Sequence, residues 1–305
     1  MIFGQGSLRC HPWLLKEMEA ANLPDASESL QSFDRLLFAH MRSATSNIFR
    51  SLFHGLTFGR LARVPAAGNV TYMYRGLHSA AVSFAAVADL VMAALGGSLK
   101  RREAISARLG DILSELYLMS CVLKRFEDEG RNAEDLPLVA WNYRNALYTI
   151  QSRLDEVLLN LPSRPLEAFL RMIALPFGRY RRPPSDRLNR LCAALILAST
   201  ETRERLTAGI YISRTPSDAT GRMERAFTVA MQRDQIEEKI RASGHSVKRG
   251  LSDLPALLRA NVLTQTEGDA LMNASAIIRD AIDVDDFAPS ELTGRETSTI
   301  RAAAE

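Results

Sequence analysis

Between Gly96 and Gly130 the residues Ile105, Leu109, Ile112, Leu116, Met119, Leu123 and Phe126 recur at alternating steps of four and three. Only a helix gathers that spacing on one face, so the segment must form an amphipathic helix with its apolar stripe against a partner. Gly96-Gly97 interrupts whatever precedes it. Gly130 can take the left-handed conformation that ends a helix. The sequence therefore predicts one long helix with a double-glycine start and a glycine exit, and the stripe itself reads as core.

The charges on this helix run against local rules. Lys100, Arg101 and Arg102 stand near its expected N-terminus, and Glu127, Asp128 and Glu129 near its C-terminus. Each opposes the helix dipole by about 0.3–1 kcal/mol when exposed. Lys124/Asp128 and Arg125/Glu129 lie four apart with the base first, the weaker order. Two accounts fit. Either Lys100–Arg102 cap the preceding helix, or one or both clusters face another domain or an anionic ligand such as a coenzyme A phosphate.

The 305-residue chain is 47% hydrophobic and 24% charged, as a folded protein with one or two cores should be. A net charge of +3, without zinc-finger spacing or interleaved basic and aromatic residues, gives no support for nucleic-acid binding. Cys10, Cys121 and Cys192 are isolated thiols with no CxxC pair, which fits a reducing compartment. MIFGQGSLRCHP has no signal-peptide pattern, so a cytoplasmic address is expected. Leu77–Leu95 is apolar, but it holds His78 and Asp89. An acidic group at mid-bilayer costs about 2.5–3.5 kcal/mol, which favours a buried bundle helix.

Periodic stretches elsewhere also read as helices, which predicts an all-α fold: a helical bundle with a smaller C-terminal helical subdomain. His11–Ala21 is a short helix and Leu23–Ser29 a polar linker. Ser32–Phe58 is a helix with Phe33, Leu36, Leu37, His40 and Met41 on one side. Val70–Leu95 and Leu99–Glu129 form an antiparallel pair, and a further helix runs from Asp135-Leu136-Pro137 to about Asn160. Gly209–Ile212 is the best strand candidate. Gly221–Ala242, Leu254–Leu263 and Glu267–Ile282 make the looser subdomain. The expected divisions are 1–62, 63–200 and 201–289, with a disordered tail at 290–305.

Residues 161–184 carry Arg164, Arg171, Arg179, Arg181 and Arg182 against Glu167 alone, with Phe169, Met172 and Phe177 between them. This pattern fits either an anionic membrane surface engaging 164–182 or a core helix with a basic loop.

Catalytic patterns are missing: no GxSxG, no HExxH and no GxxxxGK[ST]. Gly4-Gln5-Gly6 is not a dinucleotide fingerprint. His11, His40, His54, His78 and His245 lack metal-ligand spacing, so no metal site is expected. Glu17/Glu19 and Glu237/Glu238 read as acid pairs on solvated helix faces.

Several blocks resemble the long bacterial fatty acyl-CoA dehydrogenases of β-oxidation. They are MIFGQGSLRCHPWLLKEM (1–18), FDRLLFAH (33–40), the run from Gly96 to Trp141, PSDRLNRL (184–191) and GRMERAF (221–227). The resemblance covers most of residues 1–290 and places them in the C-terminal portion of that family. It implies that the flavin-binding domains and the catalytic glutamate come before the matching region. No family catalytic residue maps onto this chain, and FAD retention by the chain alone is not expected. Acyl-CoA and the flavin domains are the implied partners, with the inner membrane as an alternative contact. Three roles follow as expectations: an enzyme segment inactive by itself, a non-catalytic helical partner or membrane-docking module, and an acyl-CoA or lipid carrier using the bundle interior.

Overall fold

The computed structural model describes residues 11–65, 68–198, 200–213, 215, 218–246 and 253–283. Among them all regular structure is helical, and the chain divides into two compact units, Met1–Thr202 and Arg203–Glu305. The expected all-α class is found. The proposed tail at 290–305 lies outside the described residues, as does the Gly4-Gln5-Gly6 stretch.

The first unit contains α1 (Leu14–Ala21), α2 (Ala26–Leu56), α3 (Thr71–Leu95), α4 (Glu103–Asp128), α5 (Leu136–Leu159), α6 (Arg164–Ala174) and α7 (Asp186–Ile196). Its core is the α4 stripe. Ile105, Leu109, Ile112, Leu116, Met119, Leu123 and Phe126 are all buried, against Val139, Tyr143, Leu147, Ile150, Leu154 and Val157 of α5 and Val87, Val91 and Leu95 of α3. α3 is long and apolar enough to cross a membrane by composition. Here ten of its residues are buried in the protein, and Asp89 finds a partner there.

The Gly96–Gly130 helix is interrupted. Gly96–Arg101 is a 3-10 turn, and α4 starts only at Glu103, after Arg102 leaves helical geometry (φ −97°, ψ 65°). Lys100 and Arg101 thus lie in the turn that follows α3. There their charge suits the C-terminal end of α3, while Glu103 suits the start of α4. At the other end the acids have local partners. Glu127 accepts from Arg131 at 2.5 Å and Tyr74 at 3.4 Å, Glu129 from Arg125 at 2.7 Å, and Asp128 pairs with Lys124.

Two further sequence expectations fail. The linker over 23–29 is shorter than predicted, because the Asp25 carboxylate accepts from the Glu28 N–H at 2.8 Å and starts α2 at Ala26. Ile210–Ile212 forms no strand, since Gly209 has φ +89° and turns the chain as α8 (Glu201–Thr207) ends.

The second unit contains α9 (Ala219–Ala242), α10 (Leu254–Arg259) and α11 (Gln265–Ile282), which bury Ile240, Leu254, Leu257, Leu263 and Leu271 together. Glu237, expected on a solvated face, is buried and clamped by Arg233 at 2.6 Å and Arg241 at 2.9 Å. Thr264 and Glu267 form a reciprocal capping box at the start of α11.

Two outcomes test this packing. Leu109→Ala should cost about 2–5 kcal/mol in urea unfolding, whereas Leu113→Ala on the exposed side of the same helix should stay within about 0.5 kcal/mol of wild type. Lys239 and the Thr264 N–H hold the Glu267 carboxyl down at about 2, from an ordinary 4.5. Its stabilising contribution is therefore complete above pH 4.5 and is lost as the pH falls toward about 2. A carboxyl NMR titration of Glu267 should show that midpoint, and Lys239→Met should move it upward.

Candidate functional site

Four of the five histidines meet in two pairs. His11 begins the described chain, and its Nδ1 accepts from the N–H groups of Trp13 (3.3 Å) and Leu14 (3.2 Å) at the start of α1. That fixes its ring proton on Nε2, which donates to Asp89 Oδ1 of α3 at 2.9 Å. His40 of α2 stands beside it, with ring centroids 4.8 Å apart. Its Nδ1 lies 2.8 Å from Glu17 Oε1 of α1. Glu17, expected on a solvated face, is instead buried.

A cavity of about 330 Å³ opens against this cluster. His40, Asp89 and Ser106 form its polar part with Lys100, and Leu14, Met18, Met92 and Leu99 its apolar walls. Lys100, Arg101 and Arg102 are exposed and form no ion pair among the described residues.

The second pair is His54 of α2 and His78 of α3, edge to face at 5.2 Å, with Arg50 Nη2 3.5 Å from His78 Nε2. Burial lowers both imidazoles below their ordinary value; His78 and Arg50 press His54 down further, and Arg50 does the same to His78. His245 stands apart at the end of α9, beside Ser243. Cys121 is exposed. Cys192 is buried against the Pro137 carbonyl, and burial pushes its thiol up.

An unusual apolar surface lies on α2. This 31-residue helix buries only Ser51 and His54, both polar. Phe38 and Phe49 are 68% and 67% exposed, and Leu30, Met41, Phe53 and Leu56 extend the same apolar surface along the helix. Soluble proteins rarely leave so long an apolar stripe uncovered. A groove beside it is lined by Trp13, Phe38, Arg42 and Arg50.

The described residues thus define an all-α bundle domain with an uncovered apolar helix face and a small polar-ended cavity. The chain belongs to the acyl-CoA dehydrogenase C-terminal family of bacterial type, which it matches over residues 8–287. No solved structure matches it. The family ties the chain to fatty acyl-CoA dehydrogenase chemistry, and acyl-CoA dehydrogenases in general use FAD.

Neither the cavity at Asp89 nor the Trp13–Arg50 groove fits FAD. The cavity at Asp89 is at the lower end of the roughly 300–1,000 Å³ that encloses a drug-sized ligand, and FAD is larger. Lys100 is also the only cation lining it, against a pyrophosphate. The Trp13–Arg50 groove is an open helix face that encloses no ring system.

Sequence spacing did not reveal the His11–His40–Asp89–Glu17 cluster, because its members come from four segments. A buried-type apolar helix carrying one acid, Asp89, was the available signal. Ring NMR titrations of His54 and His78 should show both midpoints below 6.5, so that both rings are neutral at pH 7. The stability linked to them is complete above pH 6.5 and falls as the pH drops below it.

Proposed function

We propose that this chain is the C-terminal helical part of an FAD-dependent acyl-CoA dehydrogenase that oxidises medium- to long-chain acyl-CoA to trans-2-enoyl-CoA in β-oxidation, and that it is inactive alone. The observation that carries this reading is the uncovered face of α2, which fits a lobe of the same enzyme. Covering Phe38, Met41, Phe49 and Phe53 would remove from water the largest apolar side chains of the first helices. In this reading the flavin and the carboxylate that takes the α-proton belong to that lobe. The present chain shields it from water and fixes its position.

The purified chain should be colourless and should not reduce an electron acceptor with palmitoyl-CoA; turnover by the chain alone would end this reading. Mixed with the flavin lobe of its own enzyme, it should form a stable complex. Phe49→Asp with Phe53→Asp should weaken that complex at least tenfold while leaving the helix content unchanged, since neither side chain is buried.

A second reading places the protein in the cytoplasm, peripheral on the inner membrane through 164–182. It rests on α6 and the loop after it, which expose Phe169, Met172 and Phe177. Against it, Arg164 pairs with Glu167 at 2.7 Å and Arg171 with Asp155 at 2.6 Å, which leaves less free positive charge than the sequence suggested. Flotation with anionic liposomes decides it: salt-sensitive binding lost in Phe169→Ser/Met172→Ser supports docking, and no binding refutes it.

A further inference from the structure

We propose that His11, His40 and Asp89 form a binding site for a divalent transition-metal ion of the zinc type. The three side chains each offer one ligand atom, and those atoms lie within 4.8 Å of one another. They come from the segment before α1, from α2 and from α3, and all are partly buried. Zinc bonds to nitrogen and oxygen run about 2.0–2.2 Å, which separates neighbouring tetrahedral ligands by about 3.3–3.5 Å. The 2.9 Å His11–Asp89 contact needs to open slightly, and the widest spacing closes by about 1.5 Å.

The surroundings suit an ion. Glu17 accepts the Nδ1 proton of His40 at 2.8 Å and leaves the Nε2 lone pair to ligate, the carboxylate–histidine arrangement that orients metal-bound imidazoles. Asn47 Nδ2 reaches the second oxygen of Asp89 at 3.5 Å. Asp89 and Glu17 together outweigh Lys100, the one lysine lining the cavity. The cavity of about 330 Å³ gives the ion an approach, and it leaves a fourth position for water or a small ligand.

At His11 an ion replaces the proton now directed at Asp89, and the ring proton moves to Nδ1. That change gives up the bonds from Trp13 and Leu14, both long at 3.3 and 3.2 Å. Two imidazoles and one carboxylate select zinc-type ions over Mg²⁺ or Ca²⁺, which prefer all-oxygen sites. The His54–His78 pair is a poor alternative, because the Arg50 guanidinium occupies its approach.

The test is Co²⁺ titration of the tag-free full chain, read by visible d–d absorption. One equivalent should saturate the bands, Zn²⁺ should abolish them, and excess Mg²⁺ should not. His40→Ala and Asp89→Asn should each lower Co²⁺ affinity at least tenfold, with Glu17→Gln weaker in effect and His78→Ala without effect. X-ray absorption of the Zn²⁺-loaded wild-type protein should count two imidazole ligands, a measurement that needs no variant to fold. The proposal is overturned by the absence of saturable bands, by wild-type affinity in folded His40→Ala, or by fewer than two imidazoles on zinc.

Discussion

The first unit depends on one seam, the α4 stripe set against α5 and α3. Leu109 and Ile112 of α4 and Val157 and Leu158 of α5 are sealed from water, and Val91 of α3 closes the third side. Three long helices can pack this closely only where small residues permit it. Gly76 of α3 is such a point: a Cβ there would collide with the Tyr143 hydroxyl. The 3-10 turn over Gly96–Arg101 reverses the chain between α3 and α4, and Gly96 takes the positive φ of 47° that this reversal needs. α6 joins the seam through Leu170 and Ala174.

Polar side chains then set how the outer elements sit. Gln151 of α5 offers its Oε1 to the N–H groups of Tyr180 and Arg181 at 2.9 and 2.7 Å, which pins the loop after α6. Trp141 donates to Asn189 at 2.8 Å and fixes α7. α1 and the segment before it are tied to α2 and α3 by two histidine–carboxylate bonds, from His11 to Asp89 and from His40 to Glu17, beside the packing of Ala20. The candidate metal cluster thus shares His11, His40 and Asp89 with the ties of α1, and an ion bound there acts on how α1 meets α2 and α3.

The apolar periodicity of α4 and α5 was readable residue by residue, because a four-and-three repeat admits only one backbone. The break at Arg102 was not. It depends on how α3 and α4 cross, which no local pattern encodes. The burial of Glu17 has the same kind of cause, since His40 comes to it from another helix, whereas Glu237 is covered by two arginines one turn away on its own helix. The arginines flanking Glu237 at four-residue spacing were a legible signal, whereas the partner of Glu17 was not. The family resemblance pointed to acyl-CoA dehydrogenase and named no residue of a site. The histidine cluster emerges only from the fold.

The manner in which α2 is attached has a dynamic consequence. Ser51 Oγ lies 3.1 Å from Ser83 Oγ and 3.3 Å from the Ile173 carbonyl, and its one proton with its lone pairs lets it bond both, so directional bonds fix the rotation and register of the helix. No large apolar side chain of α2 is sealed from water: its fully buried residues are Ser51 and His54, and Phe33, Leu36, Leu37, Ile48 and Leu52 are only partly covered. By contrast, α4 seals seven apolar residues, so less burial opposes the lifting of α2. Opening free energy follows buried contacts rather than helix length. Amide hydrogen exchange should thus rank the longest helix of the first unit among the quickest to exchange, while the shorter α4 and α5 exchange only on global unfolding.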